Sequence, residues 1–306
     1  MLSVPSVVST SPFVVFVVLA LVPARPGCEL ADRVSIHGDE HMRLLADCGN
    51  STIKLGLAQD GGIWQFQRLS PQTAALDEFI KPFDRTITEL ALMPGAKANT
   101  ALVESWWAAV GNGRRLRVVG DRTLPAPDLG QYPNCGIDRV LAGLVGCIQE
   151  RKSLVVIDAG TATTMTAWRY EPDDPNPLTA VKFAGGLILP GARSCAIGLA
   201  AQAPALPVVE VLGPDAHAAQ FDTHGAIGAA IGIGYGPMVA ACMLKLERET
   251  AIHLHIATGG NCGLIIASSV LPRLSYRPSL VLEGMELLCR ITDRTRRSSD
   301  PAIPRG

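Results

Sequence analysis

Two short runs in this chain set an acid, a glycine and hydroxyl side chains in the same order. The first is Asp47-Cys48-Gly49-Asn50-Ser51-Thr52 and the second is Asp158-Ala159-Gly160-Thr161-Ala162-Thr163. The glycine lets the backbone turn tightly and approach a ligand closely. Backbone N–H groups and the hydroxyls of Ser51, Thr52, Thr161 and Thr163 can then donate to phosphate oxygens. A carboxylate beside a polyphosphate repels it unless a cation lies between. Asp47 and Asp158 are therefore expected to act through metal ions, with Mg²⁺ held directly or through its waters. Lys54 can add positive charge near the phosphates, or can point away if its strand faces the other side. Either run alone also fits a plain tight hairpin.

A third group lies between them. Gly136-Ile137-Asp138-Arg139 puts a carboxylate and a guanidinium at a helix start. An arginine can grip a carboxylate ligand through two parallel hydrogen bonds. An aspartate there can take the proton of a substrate hydroxyl, or can simply be an N-terminal acid favoured by the helix dipole. Thr258-Gly259-Gly260 can let a base or ribose approach the backbone, and Thr223 can bind a ligand or cap a helix after Asp222. His253 and His255 would share one face of a strand, but two histidines alone make a poor metal site.

The elements that must position these groups follow from the apolar pattern. Short strands are expected at 44–46, 53–58, 63–68, 116–119, 154–157, 164–168 and 254–257, with a hairpin turn at Asp60-Gly61-Gly62. The spacing of Leu76, Phe79, Ile80, Phe83 and Ile87 predicts a helix over 73–92. Others are expected from 136 to about 149, from Asp222 to about Glu249 with an interruption at Gly236-Pro237, and from 282 to about 291. Residues 93–135 are the least legible; Trp106 and Trp107 read there as core or interface side chains. In both acid-glycine runs a strand enters the turn and another leaves it. Aligning Asp47 with Asp158 also aligns Gly49 with Gly160 and Thr52 with Thr163, which points to an internal duplication. The expected architecture is α/β, with repeats over 42–150 and 151–291 and a disordered polar tail over 292–306.

Bulk properties agree with an enzyme of this kind. The chain has 306 residues, is 48% hydrophobic and carries a formal net charge of −1, which advertises neither a nucleic-acid surface nor an anionic-membrane surface. Its eight cysteines are scattered with no C-x-x-C pair, which argues against a zinc site or a disulfide framework and suits reduced thiols in the cytoplasm. The apolar run Phe13 to Val22 is too short to span a bilayer, which takes about 20 residues. It lacks the basic residues of a secretory signal, so residues 1–41 read as a leader or a mis-assigned start, with folded sequence beginning at Met42.

Taken in order, these segments resemble type III pantothenate kinase, a bacterial enzyme of the actin-like ATPase superfamily. The matching segments are Asp47 to Lys54, Gly136 to Arg139, Asp158 to Thr163, Gly185 to Gly191, Thr223 with Ala226-Ile227, Thr258 to Gly260, and Leu282-Glu283-Gly284. The resemblance implies a duplicated ribonuclease-H-like fold with ATP between the halves, and a homodimer. It implies phosphorylation of pantothenate, the first step of coenzyme A synthesis. It further implies that Asp47, Cys48, Gly49, Asn50, Ser51, Thr52, Ile53 and Lys54 form an ATP phosphate loop, with Thr161 also contacting ATP. Gly136, Ile137, Asp138, Arg139 and Thr223 would bind pantothenate, with Asp138 as proton acceptor. Asp158 would hold a monovalent cation, K⁺ or NH₄⁺, and Mg²⁺ would accompany the nucleotide. The chain departs from the family in residues 93–110, which match its Ser-Val-x-Pro-like segment poorly. The stretch between Tyr132, the candidate substrate tyrosine, and the Gly-x-Asp-Arg tetrapeptide is also shortened.

Overall fold

The structure, a computed structural model, describes residues 42–269, 271 and 274–299. The expected leader over 1–41 lies outside the described residues.

The first acid-glycine run joins β1 (Met42–Cys48) to β2 (Ile53–Gln59), and β3 (Gly62–Leu69) completes an antiparallel meander. After α1 (Thr73–Ile80), β4 (Ile87–Met93) returns parallel to β1. Then α2 (Lys97–Val110) leads to β5 (Arg115–Val118), and the sheet order is β3-β2-β1-β4-β5.

The crossover α3 (Ile137–Glu150) leads into the second copy. β6 (Leu154–Ala159) and β7 (Ala162–Tyr170) flank the second run. The short α4 (Pro177–Ala180) precedes β8 (Val181–Pro190), and α5 (Ala192–Gln202) and α6 (Thr223–Thr250) lead to β9 (His255–Thr258). α7 (Cys262–Ala267) and β10 (Leu274–Tyr276) follow, and α8 (Leu280–Ser299) ends the fold. The second sheet reads β8-β7-β6-β9-β10, with the same directions as the first. This is the duplicated ribonuclease-H-like α/β fold.

Period-two alternation along the strands decides where the site lies. In β1, Leu44, Ala46 and Cys48 pack with α1 and α2, while Leu45 faces the core around α3 and α8. Asp47 shares the side of Leu45. In β6, Val155, Ile157 and Ala159 pack toward α5, α6 and α7, while Leu154 and Val156 join the α3–α8 core. Asp158 shares their side. Both acids therefore face the space between the sheets, which α3 and α8 partly fill.

Five expectations need correcting. The helix over 73–92 stops at Ile80, and Ile87 opens β4, whose burial on both faces imitates a helical stripe. The gapless alignment slips by one residue after the glycine. Asp47 pairs with Lys54 but Asp158 pairs with Thr164, so Ile53, not Thr52, corresponds to Thr163. α6 runs as one helix through Pro237, so the interruption expected at Gly236-Pro237 is absent. The strand expected at 254 begins at His255, so His253 lies outside it; both rings instead face Glu247, with Nδ1 of His253 2.5 Å from Oε1 and Nε2 of His255 3.5 Å from Oε2. Residues 292–299 are helical, because Asp293 ties α8 to the first sheet. It pairs with Arg43 at 3.0 Å and with the fully buried Arg117 at 2.8 Å.

By length and composition α6 could cross a membrane. Half of its most apolar window is buried in this fold, where it packs against β7, β8, α5 and α7.

Candidate active site

The two turns face each other. Ser51 Oγ and Thr161 Oγ1 lie 3.1 Å apart, joining the first copy to the second across the mouth of the cleft. Asn50, Ser51 and Thr161 are exposed, and Thr52 partly so. Cys48 and Ile53 are fully buried in the core behind the turn, so anything they give a ligand comes from the backbone. Burial also pushes the Cys48 thiol up to about 12, which leaves it inert.

An asparagine holds each turn from behind. Asn99 Nδ2 donates to the Gly49 carbonyl at 2.6 Å, and Asn261 Nδ2 donates to the Gly160 carbonyl at 2.8 Å. Backbone bonds reinforce them, from Ala96 N–H to Cys48 O at 2.9 Å and from Asn261 N–H to Ala159 O at 2.8 Å. Gly259 explains part of the Thr258-Gly259-Gly260 run. Its φ is +102°, and a Cβ there would come within 2.5 Å of the Ala159 backbone. The glycine lets β9 end flush against the acid strand. The two asparagines escaped the sequence reading because they sit at different distances from their strands, Asn99 within α2 and Asn261 just before α7.

Three carboxylates converge beneath the turns. Lys54 Nζ donates to Asp47 Oδ2 at 2.7 Å, which settles that Lys54 points into the cleft. Burial acts to lower the Lys54 ammonium, but Asp47 and Asp158 outweigh it and hold it raised. Asp158 is pushed up to about 6, chiefly by burial, with Asp138 and Asp47 adding to the rise and Lys54 opposing it. Asp138 is also raised, first by burial and then by Asp47, while the Arg139 backbone N–H opposes the shift. Asp138 sits in the first turn of α3, and Gly136 leaves room for its carboxylate, which would overlap a Cβ at that position. Like charges set this close in a partly dry cleft call for a cation. The donor set is oxygen only, which suits Mg²⁺ or K⁺ rather than a soft metal. Among the described residues no His, Cys, Asp or Glu cluster is tight enough to hold a metal alone, so an ion here would need further oxygens from a ligand or water.

Arg139 is buried and turned toward β7. Its Nε donates to Thr166 Oγ1 at 2.9 Å and its Nη1 to the Tyr132 hydroxyl at 2.5 Å. Tyr132 thus joins the tetrapeptide despite the shortened connector, its ring edge-on to Phe183 at 5.6 Å. Thr223 stands apart. It is exposed at the start of α6, which Asp222 caps through Gly225 N–H at 2.8 Å, and no described contact joins it to the three acids. Leu282-Glu283-Gly284 is a packing element, because Gly284 lets α8 cross α3 where a Cβ would overlap the Leu141 backbone.

The sequence agrees with what the cleft can do. Residues 43–245 match the profile described as type III pantothenate kinase. A type III pantothenate kinase from Syntrophotalea carbinolica is 30% identical over 265 residues, covering 81% of this chain and 98% of its own length. One from Synechococcus elongatus is 29% identical over 261 residues, covering 81% of this chain and 96% of its own. With both acid-glycine turns, the intervening acid and nearly the whole length of these relatives accounted for, the chain belongs to the type III pantothenate kinase family.

Proposed function

We infer that this chain transfers the γ-phosphoryl group of ATP to pantothenate, giving 4′-phosphopantothenate and ADP, the first step of coenzyme A synthesis. The observation that carries the reading is the meeting of Asp138 with Asp47 and Asp158 beneath two hydroxyl-bearing turns that touch through Ser51 and Thr161.

ATP lies with its phosphates between the turns, contacted by residues 47–54 and by Thr161. Pantothenate sits against Gly136, Ile137, Asp138 and Arg139, with Arg139 and Tyr132 orienting its polar groups. Asp138 takes the proton of the primary hydroxyl as that oxygen bonds to the γ-phosphorus. The bond from the γ-phosphorus to the β–γ bridging oxygen breaks, and ADP departs with the electron pair. Burial and Asp47 raise Asp138 toward working pH, where a base is most effective. Such catalysis is mostly positioning and charge stabilisation. Mg²⁺ beside Asp47, and K⁺ or NH₄⁺ at Asp158, would neutralise phosphate charge in this all-oxygen pocket.

Several finer points belong to the same reading. Residues 42–150 and 151–291 are the two domains, and α8 packs back onto the first sheet. The working enzyme is a cytoplasmic homodimer that binds neither nucleic acid nor membrane. Large exposed apolar side chains gather in the second half, at Ile188, Ile197, Val208, Phe221 and Leu244, and favour a partner there. Thr223, beside the wholly exposed Phe221, is the remaining pantothenate contact.

The test is direct. The full chain is incubated with ATP, Mg²⁺, K⁺ and pantothenate, with other small hydroxylated acids in parallel, and products are read by mass. Selective formation of 4′-phosphopantothenate is expected. ATP-dependent phosphorylation of another acceptor, or no turnover, would overturn the reading.

A further inference from the structure

Strand register sets a row of charges across the first sheet that the phosphate turns do not account for. Asp47 pairs with Lys54, and Lys54 pairs with Arg68 on β3. Laterally paired residues project to one face, so all three point toward the cleft. The corresponding row of the second sheet is Asp158, Thr164 and Ile188, which carries no cation.

Lys54 is ion-paired with Asp47, but Arg68 forms no ion pair among the described residues. Its Nη2 is buried and finds no hydrogen-bond partner among the described residues. Its guanidinium carbon lies 5.9 Å from the centre of the Phe66 ring. On the far side it rests against the second half, since a Cβ on Gly260 would come within 2.7 Å of its Nη1. Its charge is felt at Asp158 and at Lys54. Arg68 thus reaches from the edge strand of one sheet to the glycine turn of the other, past both acid turns. A guanidinium nitrogen buried without a hydrogen-bond partner is unfavourable unless a ligand supplies one. The planar fork of arginine matches phosphate oxygens.

We propose that Arg68 is a phosphate-binding residue of this cleft, gripping the polyphosphate of ATP beside Gly260 and stabilising charge on the phosphoryl group in flight. This rests on the cleft being the ATP site, which wild-type turnover with ATP tests separately. The anion is the nucleotide phosphate rather than the pantothenate carboxylate, because the tetrapeptide brings its own arginine, Arg139, which faces Thr166 and Tyr132.

The test uses R68M and R68K in the full chain. Kinetics are measured against ATP and against pantothenate, with melting temperature recorded with and without ATP. R68M is expected to melt at or above wild type, since it removes the one buried nitrogen, Nη2, that lacks a partner. Its kcat/KM for ATP should fall about 10²–10³-fold, the loss typical of one transition-state donor. KM for pantothenate should stay unchanged, and the ATP-induced rise in melting temperature should shrink. R68K keeps the charge but loses the fork, and should fall about 10-fold with normal melting. Wild-type kcat/KM for ATP in R68M would overturn the proposal. So would a lower melting temperature with equal loss toward both substrates, which marks a structural arginine. If R68M fails to fold, R68K decides: reduced kcat/KM for ATP with normal melting supports the proposal, and wild-type kinetics overturn it.

Discussion

Replacing Asp158 with asparagine should make the ligand-free protein more stable while removing its response to monovalent cations. The carboxyl titrates at about 6 in the fold against 3.8 when unperturbed. Each pKa unit is worth about 1.4 kcal/mol, so ionising Asp158 in the empty cleft costs about 3 kcal/mol at most. The sign follows from proton binding. Between the unperturbed and folded values the native state holds more protons than the unfolded chain. This group's contribution to stability is therefore lost as pH rises through that window and stays lost above it. At pH 7.5 D158N escapes the cost, and a net gain of about 1–3 kcal/mol is expected once the amide's own burial is counted. At roughly 2–4 °C per kcal/mol for a chain of this size class, the melting temperature should rise by about 2–12 °C. At pH 4.5 wild-type Asp158 is already protonated, so the gain should shrink. Differential scanning fluorimetry at the two pH values, with K⁺ against tetramethylammonium at fixed ionic strength, reads all of this. K⁺ should stabilise wild type by mass action and leave D158N unmoved. A mutant that melts lower at pH 7.5, or gains equally at both pH values, would refute the reasoning.

Other expectations follow from the same geometry. If Asp138 is the base, as proposed, the acid limb of log kcat/KM should lie above the ordinary aspartate value of about 4, because its carboxyl is raised and must be deprotonated to act; a profile flat down to pH 4.5 would contradict this. D293A should cost about 1–3 kcal/mol in denaturant unfolding, since it strips a charged partner from Arg43 and from the buried Arg117; an unchanged midpoint would mean that residues 292–299 bear no load. G284A should destabilise by about 1–3 kcal/mol, because the new methyl meets the Leu141 backbone where α8 crosses α3; wild-type stability would show that the helices shift freely.

Much of this site was legible in the sequence because its chemistry is local. Asp47 and Asp158 each sit near a strand end two residues before their own glycine, which shows in the sequence alone, while the side each acid takes follows from the core packing of Leu45, Leu154 and Val156 beside them. Asp138 was legible as a helix-start acid, but its meeting with the other two depends on where α3 lies between the sheets. What failed to show needed register or long-range partners. The one-residue difference between the turns emerges only from strand pairing. β4 was hidden because Ile87 continues the spacing of Phe83 and Ile80, and a strand buried on both faces has no alternation to reveal it. Arg68 carries no signal of its own at the end of the strand expected over 63–68, and only its pairing with Lys54 places it on the side of the acids. The polar stretch 292–299 looked disordered because its order comes from Arg43 and Arg117, far away in sequence.

The most direct test of the account is D138N. Its kcat is measured at saturating ATP and pantothenate, alongside binding of both ligands. If Asp138 is the base in a cleft that otherwise stays built, kcat falls about 10²–10⁴-fold while both ligands bind as before. Near-normal turnover would contradict the account, because the acid between the two phosphate turns would then have no part in the chemistry.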